Sequence, residues 1–292
     1  MTAPSTSGAR IIDRGYRRYE GERTGRGGAI GTLWRQSVQR AMGLRRSTWA
    51  KILPFAAVLI SYVPAVVFIG QVALLPDEQL EVLELPTYGD YFPFIQAALT
   101  LIVAFIAPEV LCTDRRTGML GIYLASPLTR DSYLVAKAAA VLTVLSMVTV
   151  GPPLLMLIAY VLQGVGPDGP AEVALTLIRI VGAGLVLGVL YTAVSLGVSS
   201  LTDRKSFATA AMLLLTLVSS IFVGVLVETT GLPDGFQALS LLAGPFLLVK
   251  LIHGEVPPVD ISLPAALGGT ALWTLAGAVV CRVRYQVLQV TR

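Results

Sequence analysis

The sequence has little charge. Asp, Glu, Lys and Arg make up 14% of its 292 residues and hydrophobic residues 54%, whereas a soluble domain carries about 25% charged residues. A chain this poor in charge cannot coat a globular surface of its own size, which excludes a water-soluble fold before any pattern is read. Histidine is nearly absent, and the single His253, in an expected outer loop, cannot build a zinc triad or a Ser-His pair embedded in the cytosolic half. Two cysteines, Cys112 and Cys281, make neither a disulfide framework nor a metal-binding spacing. No G-x-x-x-x-G-K-[ST], H-E-x-x-H or G-x-S-x-G occurs. These absences exclude a phosphate-cradling loop, a zincin site and a nucleophile elbow. The expectation is a chain with no catalytic residue, no cofactor and no metal of its own.

What is there is apolar and long. A membrane span needs roughly 20 apolar residues, because each adds about 1.5 Å across a hydrocarbon core about 30 Å thick. Six segments qualify, at about 52–75, 92–112, 133–162, 173–201, 207–227 and 262–281. The fold class expected is therefore all-α, a polytopic membrane protein of six transmembrane helices. Gly151-Pro152-Pro153 should break or kink the third span, since two prolines remove two helical donors. Residues 236–252 are apolar but cut by Gly244-Pro245. Too short to cross, they read as a re-entrant or outer helix pair within a segment at 230–260.

The few charges are unevenly placed. Eleven of the 22 Lys and Arg residues lie in the first 51 positions. Those basic residues, with Arg115, Arg116, Arg130, Lys137, Arg204, Lys205, Arg282, Arg284 and Arg292, fall on one side of the six spans. The other side has only Lys250, while its first loop holds Asp77, Glu78, Glu81, Glu84 and Asp90. By the positive-inside rule both termini are cytosolic. Residues 1–29 read as a disordered basic tail. Residues 30–50 carry Ile30, Leu33, Trp34, Val38, Ala41 and Met42 at helical spacing, with Arg35, Gln36, Gln39 and Arg40 opposite. Such a basic amphipathic helix suits the headgroup layer or a partner surface. Residues 51–285 form the transmembrane domain, and 286–292 a short cytosolic tail.

The most informative stretch is 109–137. It runs Glu109, Asp114-Arg115-Arg116-Thr117-Gly118, an apolar run from Met119 to Ala125 that includes Tyr123, then Ser126-Pro127-Leu128-Thr129-Arg130, and Lys137 in the next span. Pro127 should stop one helix, and Thr129 or Asp131 should cap the next. A cytosolic loop, 113–132, has no need of so apolar a surface unless something covers it.

This stretch resembles the permease subunits of ABC transporters of the type-2 export class. Members share an acidic residue, arginines and a Gly, an apolar run, Ser-Pro-Leu-Ser/Thr-Arg, and a Lys at the start of the third span. The matching positions are Asp114 (where members often carry Glu), Arg115, Arg116, Gly118, Ser126, Pro127, Leu128, Thr129, Arg130 and Lys137. The likeness in layout extends over about 30–285. The resemblance implies a paired permease, homomeric or heteromeric, driven by a separate ABC ATPase dimer that binds ATP and Mg. It implies that Asp114, Arg115, Arg116, Gly118, Tyr123, Ser126, Pro127 and Arg130 couple to that ATPase, with Glu109 and Lys137 in support. The remaining contact is membrane lipid, and no nucleic acid is expected.

Three features carry alternatives. Glu109 either pairs with Arg115 or Arg116, fastening the loop, or snorkels to the headgroups. Arg179 either lines a pathway and attracts an anionic group, or snorkels outward or pairs with Glu172 or Glu228. Gly184 and Gly188 form a G-x-x-x-G that serves internal packing or a dimer seam. A secondary transporter and a membrane anchor are the competing readings: the first usually shows central membrane-embedded acids and inverted repeats, which this sequence lacks, and the second does not account for an apolar cytosolic elbow. The Leu-, Val- and Ala-rich spans point only to a hydrophobic or amphipathic cargo.

Overall fold

A computed structural model describes residues 25–44, 48–74 and 86–288. The tail expected at 1–29 lies outside them up to residue 24, as do the last four residues and most of the first acidic loop. The elements are helices α1 (Gly25–Ala41), α2 (Thr48–Leu74), α3 (Tyr91–Arg116), α4 (Met119–Leu124), α5 (Arg130–Thr149), α6 (Gly151–Gln163), α7 (Gly169–Ser200), α8 (Lys205–Thr230), α9 (Gly244–His253) and α10 (Leu263–Val287), with a 3-10 turn at Asp234–Leu239 between α8 and α9. Six segments are long and apolar enough to cross a membrane: Pro54–Leu74, α3, the α5–α6 pair, α7, α8 and α10. The protein is an all-helical, six-span bundle.

The bundle has two chemically distinct ends. One gathers α1, the 117–129 connection, the 201–204 connection and the C-terminal turn of α10; this is the basic end. The other gathers 86–90, 164–168 and 231–262; this is the acidic end. Helix α1 packs on α5 and α3. It begins earlier than the 30–50 expected and stops at Ala41, because Gly43 turns the chain with φ +67, a conformation that favours glycine. Trp34 Nε1 donates to Thr143 Oγ1 at 3.1 Å, and Arg26 to Thr129 Oγ1 at 3.0 Å.

Backbone groups inside a bilayer have no water to turn to, so every break in a span must be satisfied by protein. The third span breaks at Val150 as the prolines require, and Pro152-Pro153 become the first turn of α6, where a missing N–H costs little. Pro152 leaves the Val148 carbonyl without its helical donor. Tyr91 Oη of α3 donates to it at 2.7 Å. Gly151 admits the Tyr62 hydroxyl, which a Cβ would meet at 2.2 Å. The non-helical stretch before α9 is served the same way. Trp273 Nε1 donates to Leu239 O at 2.8 Å, Tyr191 Oη to Leu241 O at 3.1 Å and Gln96 Nε2 to Leu242 O at 2.9 Å. Leu242 N donates to Ser220 Oγ at 3.1 Å. Gly244-Pro245 does not cut this segment but opens α9, with proline in its first turn.

The G-x-x-x-G of α7 lies inside the chain. A Cβ on Gly184 would meet Thr149 O at 2.9 Å, and one on Gly188 would meet Leu142 Cδ1 at 2.7 Å. The tightest seam is between α7 and α10, which pack together more extensively than any other pair. There Gly197 faces the Gly277 carbonyl, and Gly277 faces the Ala193 carbonyl.

Replacing Tyr91 by Phe strands a buried carbonyl at the α5–α6 break. It is expected to lower stability by about 1–3 kcal/mol, read as a lower unfolding midpoint of the detergent-purified protein. An unchanged midpoint would mean that the break is satisfied by another donor.

Candidate functional site

The elbow between α3 and α5 is built from local rules. Helix α3 ends at Arg116 because Gly118 takes φ +71, leaving the helical region where a side chain would be strained. Helix α4 then runs for six residues. Its Leu120 is buried, Tyr123 and Leu124 pack against the core, and Ile122 is 64% exposed. Ser126 Oγ donates to the Tyr123 carbonyl at 2.5 Å, closing the turn before Pro127. Leu128 tucks inward. Of the two candidate caps, Thr129 is used. Its Oγ1 accepts from Ser132 N at 3.3 Å while Ser132 Oγ accepts from Thr129 N at 2.8 Å, a reciprocal capping box.

Beneath this elbow lies a buried ionic cluster. The Asp114 side chain is 0% exposed. Its Oδ1 takes the Arg40 guanidinium of α1; its Oδ2 takes Lys137 Nζ of α5 at 2.6 Å and the Tyr133 hydroxyl at 3.0 Å. Lys137, 1% exposed, also donates to Ser37 Oγ of α1 at 3.0 Å. Its ammonium lies 5.6 Å and 5.4 Å from the ring centroids of Tyr123 and Tyr133, within cation–π range. Tyr133 in turn stacks on Tyr285 of α10 with centroids 5.8 Å apart. One carboxylate thus ties α1, α3 and α5 together, with α4 and α10 joined through tyrosine rings. Burial works against the charge on Arg40, but Asp114 outweighs it and the guanidinium pKa is raised.

The structure separates the sequence-derived residues into three groups. Asp114, Lys137 and, in part, Tyr123 are internal and hold the elbow. Arg115 and Arg130 are clasps. Arg115 Nη1 donates to Ser200 O at 2.6 Å and to Thr202 O at 3.1 Å across the α7–α8 connection. Arg130 Nη1 donates to Tyr285 O at 3.0 Å and to Gln286 O at the end of α10. Arg116, Gly118, Ser126 and Pro127 are exposed, as is Ile122. Of the two alternatives for Glu109, pairing with Arg115 or Arg116 is not what the structure shows; Glu109 forms an ion pair with Lys205. Both arginines sit beyond it toward the end of α3, and Arg115 is drawn to the carbonyls opposite. Arg179 is remote from all of these. It lies at the acidic end and donates to the His253 carbonyl at 3.2 Å, rather than to Glu172 or Glu228.

A model of the ABC-2 family of transporter proteins matches residues 52–244, about two thirds of the chain. The chain belongs to the ABC-2 transporter family. No individual curated protein matches it. The matched region contains Asp114, the elbow, and the break before α9, and excludes α1 and α10. The ABC-2 assignment makes this chain a transmembrane permease component and bears on none of the individual residues named above. Four members of the cluster escaped the sequence: Ser37, Arg40, Tyr133 and Tyr285. Ser37 and Arg40 lie at i, i+3 on α1, and Tyr133 and Lys137 at i, i+4 on α5. Polar residues at helical spacing in otherwise apolar company were the available signal.

Replacing Asp114 by Asn leaves Lys137 buried beside no carboxylate. A loss of about 3–5 kcal/mol is expected, seen as poor recovery of folded protein and a lower melting temperature in detergent. Adding Lys137→Met should restore part of that loss, whereas additive effects would show that the two side chains do not act as a pair.

Proposed function

We propose that this permease moves a hydrophobic or amphipathic substrate out of the cytosol, driven by ATP that a separate ABC ATPase dimer hydrolyses with Mg. In this reading the basic end faces the cytosol of a cell whose plasma membrane holds the bundle, and both termini lie inside. The alternation of basic residues along the chain supports that orientation. The permease works as a pair, with a second copy or a homologous chain.

The observation that carries the reading is the pairing of an exposed apolar knob with a rigid mount. Ile122 stands 64% exposed at the tip of an elbow whose base is locked by Asp114 to three helices and clasped by Arg115 and Arg130 to two more connections. An exposed apolar tip on a fixed mount is what a partner's groove requires, because burying it yields affinity and the mount carries force. Arg116 and the Ser126-Pro127 turn border the tip and set which groove fits. Nucleotide-driven motion of the ATPases then shifts an equilibrium between two arrangements of the spans, as coupling between distant sites demands.

The test is reconstitution with a candidate ABC ATPase subunit. Ile122→Asp should weaken co-purification and reduce permease-dependent ATP hydrolysis by about tenfold or more, since a buried charge replaces a buried side chain. The variant should fold normally, because the position is solvent-facing. Full ATPase coupling by a folded Ile122→Asp permease would end the docking assignment.

A further inference from the structure

The acidic end holds a cavity of about 450 Å³ that the coupling reading does not use. It opens between the loop before α3, the α6–α7 connection, the first turns of α7 and the end of α9. Its lining is unbalanced in charge. Asp168, Glu172 and Glu255 contribute three carboxylates against the single guanidinium of Arg179. That guanidinium is turned to the α9 terminus, where it donates to the His253 carbonyl and lies over Gly254, 3.7 Å from where a Cβ would stand. Glu255 is engaged as well: Gly89 N donates to it at 2.9 Å, and Lys250 lies 3.5 Å away. Asp168 and Glu172 are left. Among the described residues neither forms an ion pair, and Glu172 accepts only from Asp168 N, at 3.1 Å.

Two tyrosines form the apolar part. Tyr88 and Tyr160 lie with ring centroids 5.9 Å apart and planes tilted by 48°, an open aromatic corner. Tyr160 Oη is held by Pro86 O at 3.2 Å. Tyr88 Oη and His253 Nε2 are buried atoms with no hydrogen-bond partner, which is costly unless something supplies one. Burial pushes the Tyr88 hydroxyl up to about 12, so it stays a neutral phenol. His253 Nδ1 lies 3.0 Å from the Val249 carbonyl and its pKa is lowered, chiefly by burial. The ring is then neutral with its proton on Nδ1, and Nε2 is a free acceptor.

We propose that this cavity binds an organic ammonium group, with the charge facing Asp168 and Glu172 and the alkyl shell against Tyr88 and Tyr160. Excess carboxylate and an aromatic corner together select such a cation: an anion would meet an excess of like charge, and a neutral apolar group would leave the carboxylates unserved. A small metal ion would gain nothing from the rings. The same chemistry is offered by a free amine and by the choline headgroup of a lipid. The inference concerns the opposite end of the bundle from the elbow and stands or falls independently of the ATPase reading.

Binding of choline to the purified permease in maltoside micelles, followed by calorimetry, tests it directly. Choline should bind at least about tenfold more tightly than its neutral isostere 3,3-dimethylbutanol. The double variant Asp168→Asn/Glu172→Gln should weaken choline by about tenfold; both positions are at the solvent-facing rim, so folding is not at stake. A Tyr88→Leu variant with an unchanged melting profile should also bind more weakly. Repeating the titration in phosphatidylcholine nanodiscs separates the sources. Loss of choline binding there means that the lipid headgroup occupies the site; retained binding means that a free cation does. Equal binding of choline and its neutral isostere, or full choline binding by the double variant, overturns the proposal.

Discussion

Everything at the basic end depends on one carboxylate kept out of water. Asp114 is wholly buried, yet it meets two cations and a phenol. Desolvating an isolated carboxylate costs several kcal/mol, and attraction offsets that cost only where geometry is good and the remaining lone pairs are filled. Here they are filled from two neighbouring helices, by Arg40 of α1 and by Lys137 and Tyr133 of α5. The arrangement therefore says less about raw stability than about position: α1, α3 and α5 satisfy Asp114 together in only one register. An aliphatic core would tolerate sliding, whereas this cluster does not.

The same rule, that nothing polar inside the bilayer goes unmet, governs the two breaks in the helices. At Val150 a tyrosine from a neighbouring span replaces the donor that proline removed. At 239–243 side chains from α3, α7, α8 and α10 each serve one backbone group of the non-helical stretch. At both breaks long-range hydrogen bonds thus complete what local turns begin, such as Ala243 N to Ser240 Oγ and Leu154 N to Val150 O. Their lack of helical bonding makes them dependent on the bundle around them, and the bundle in turn is pinned at these points.

Much of this was legible in the sequence, and the reason lies in range. Span number, the Pro152-Pro153 break and the broken segment before the last span follow from residues close together in the chain. The elbow was legible for the same reason: Gly118, Pro127 and Thr129 act on their immediate neighbours. Partners across helices were not. Glu109 and Lys205 are 96 positions apart, and Arg40 and Asp114 are 74 apart. Nothing local says that Asp114 points inward while Arg116, two residues on, points out; that depends on the rotation of α3 against α1 and α5. The helix expected at 30–50 runs instead from Gly25 to Ala41, because its apolar period continues past Gly43 while the helical backbone does not. Arg179 looked like half of an ion pair because Glu172 lies about two turns away on the same helix and Glu228 near the same end of the next. The terminal carbonyl of α9 competed for the same guanidinium, and a helix end with unmet acceptors is a strong competitor.

The clasps explain how a small elbow could act on a large bundle. Arg130 grips the last carbonyls of α10, and Arg115 grips the connection between α7 and α8. Under the coupling reading, a push on the elbow therefore reaches α3 and α5 through Asp114, α10 through Arg130, and the α7–α8 hairpin through Arg115. Helices α7 and α10 are themselves pressed backbone to backbone at Gly197 and Gly277, so they can respond only as a unit. Helix α2 carries no clasp of its own but packs on α3 and on the α5–α6 span, so under the coupling reading the elbow reaches it through those two, and a pathway that opens must do so where packing rather than a clasp joins the spans.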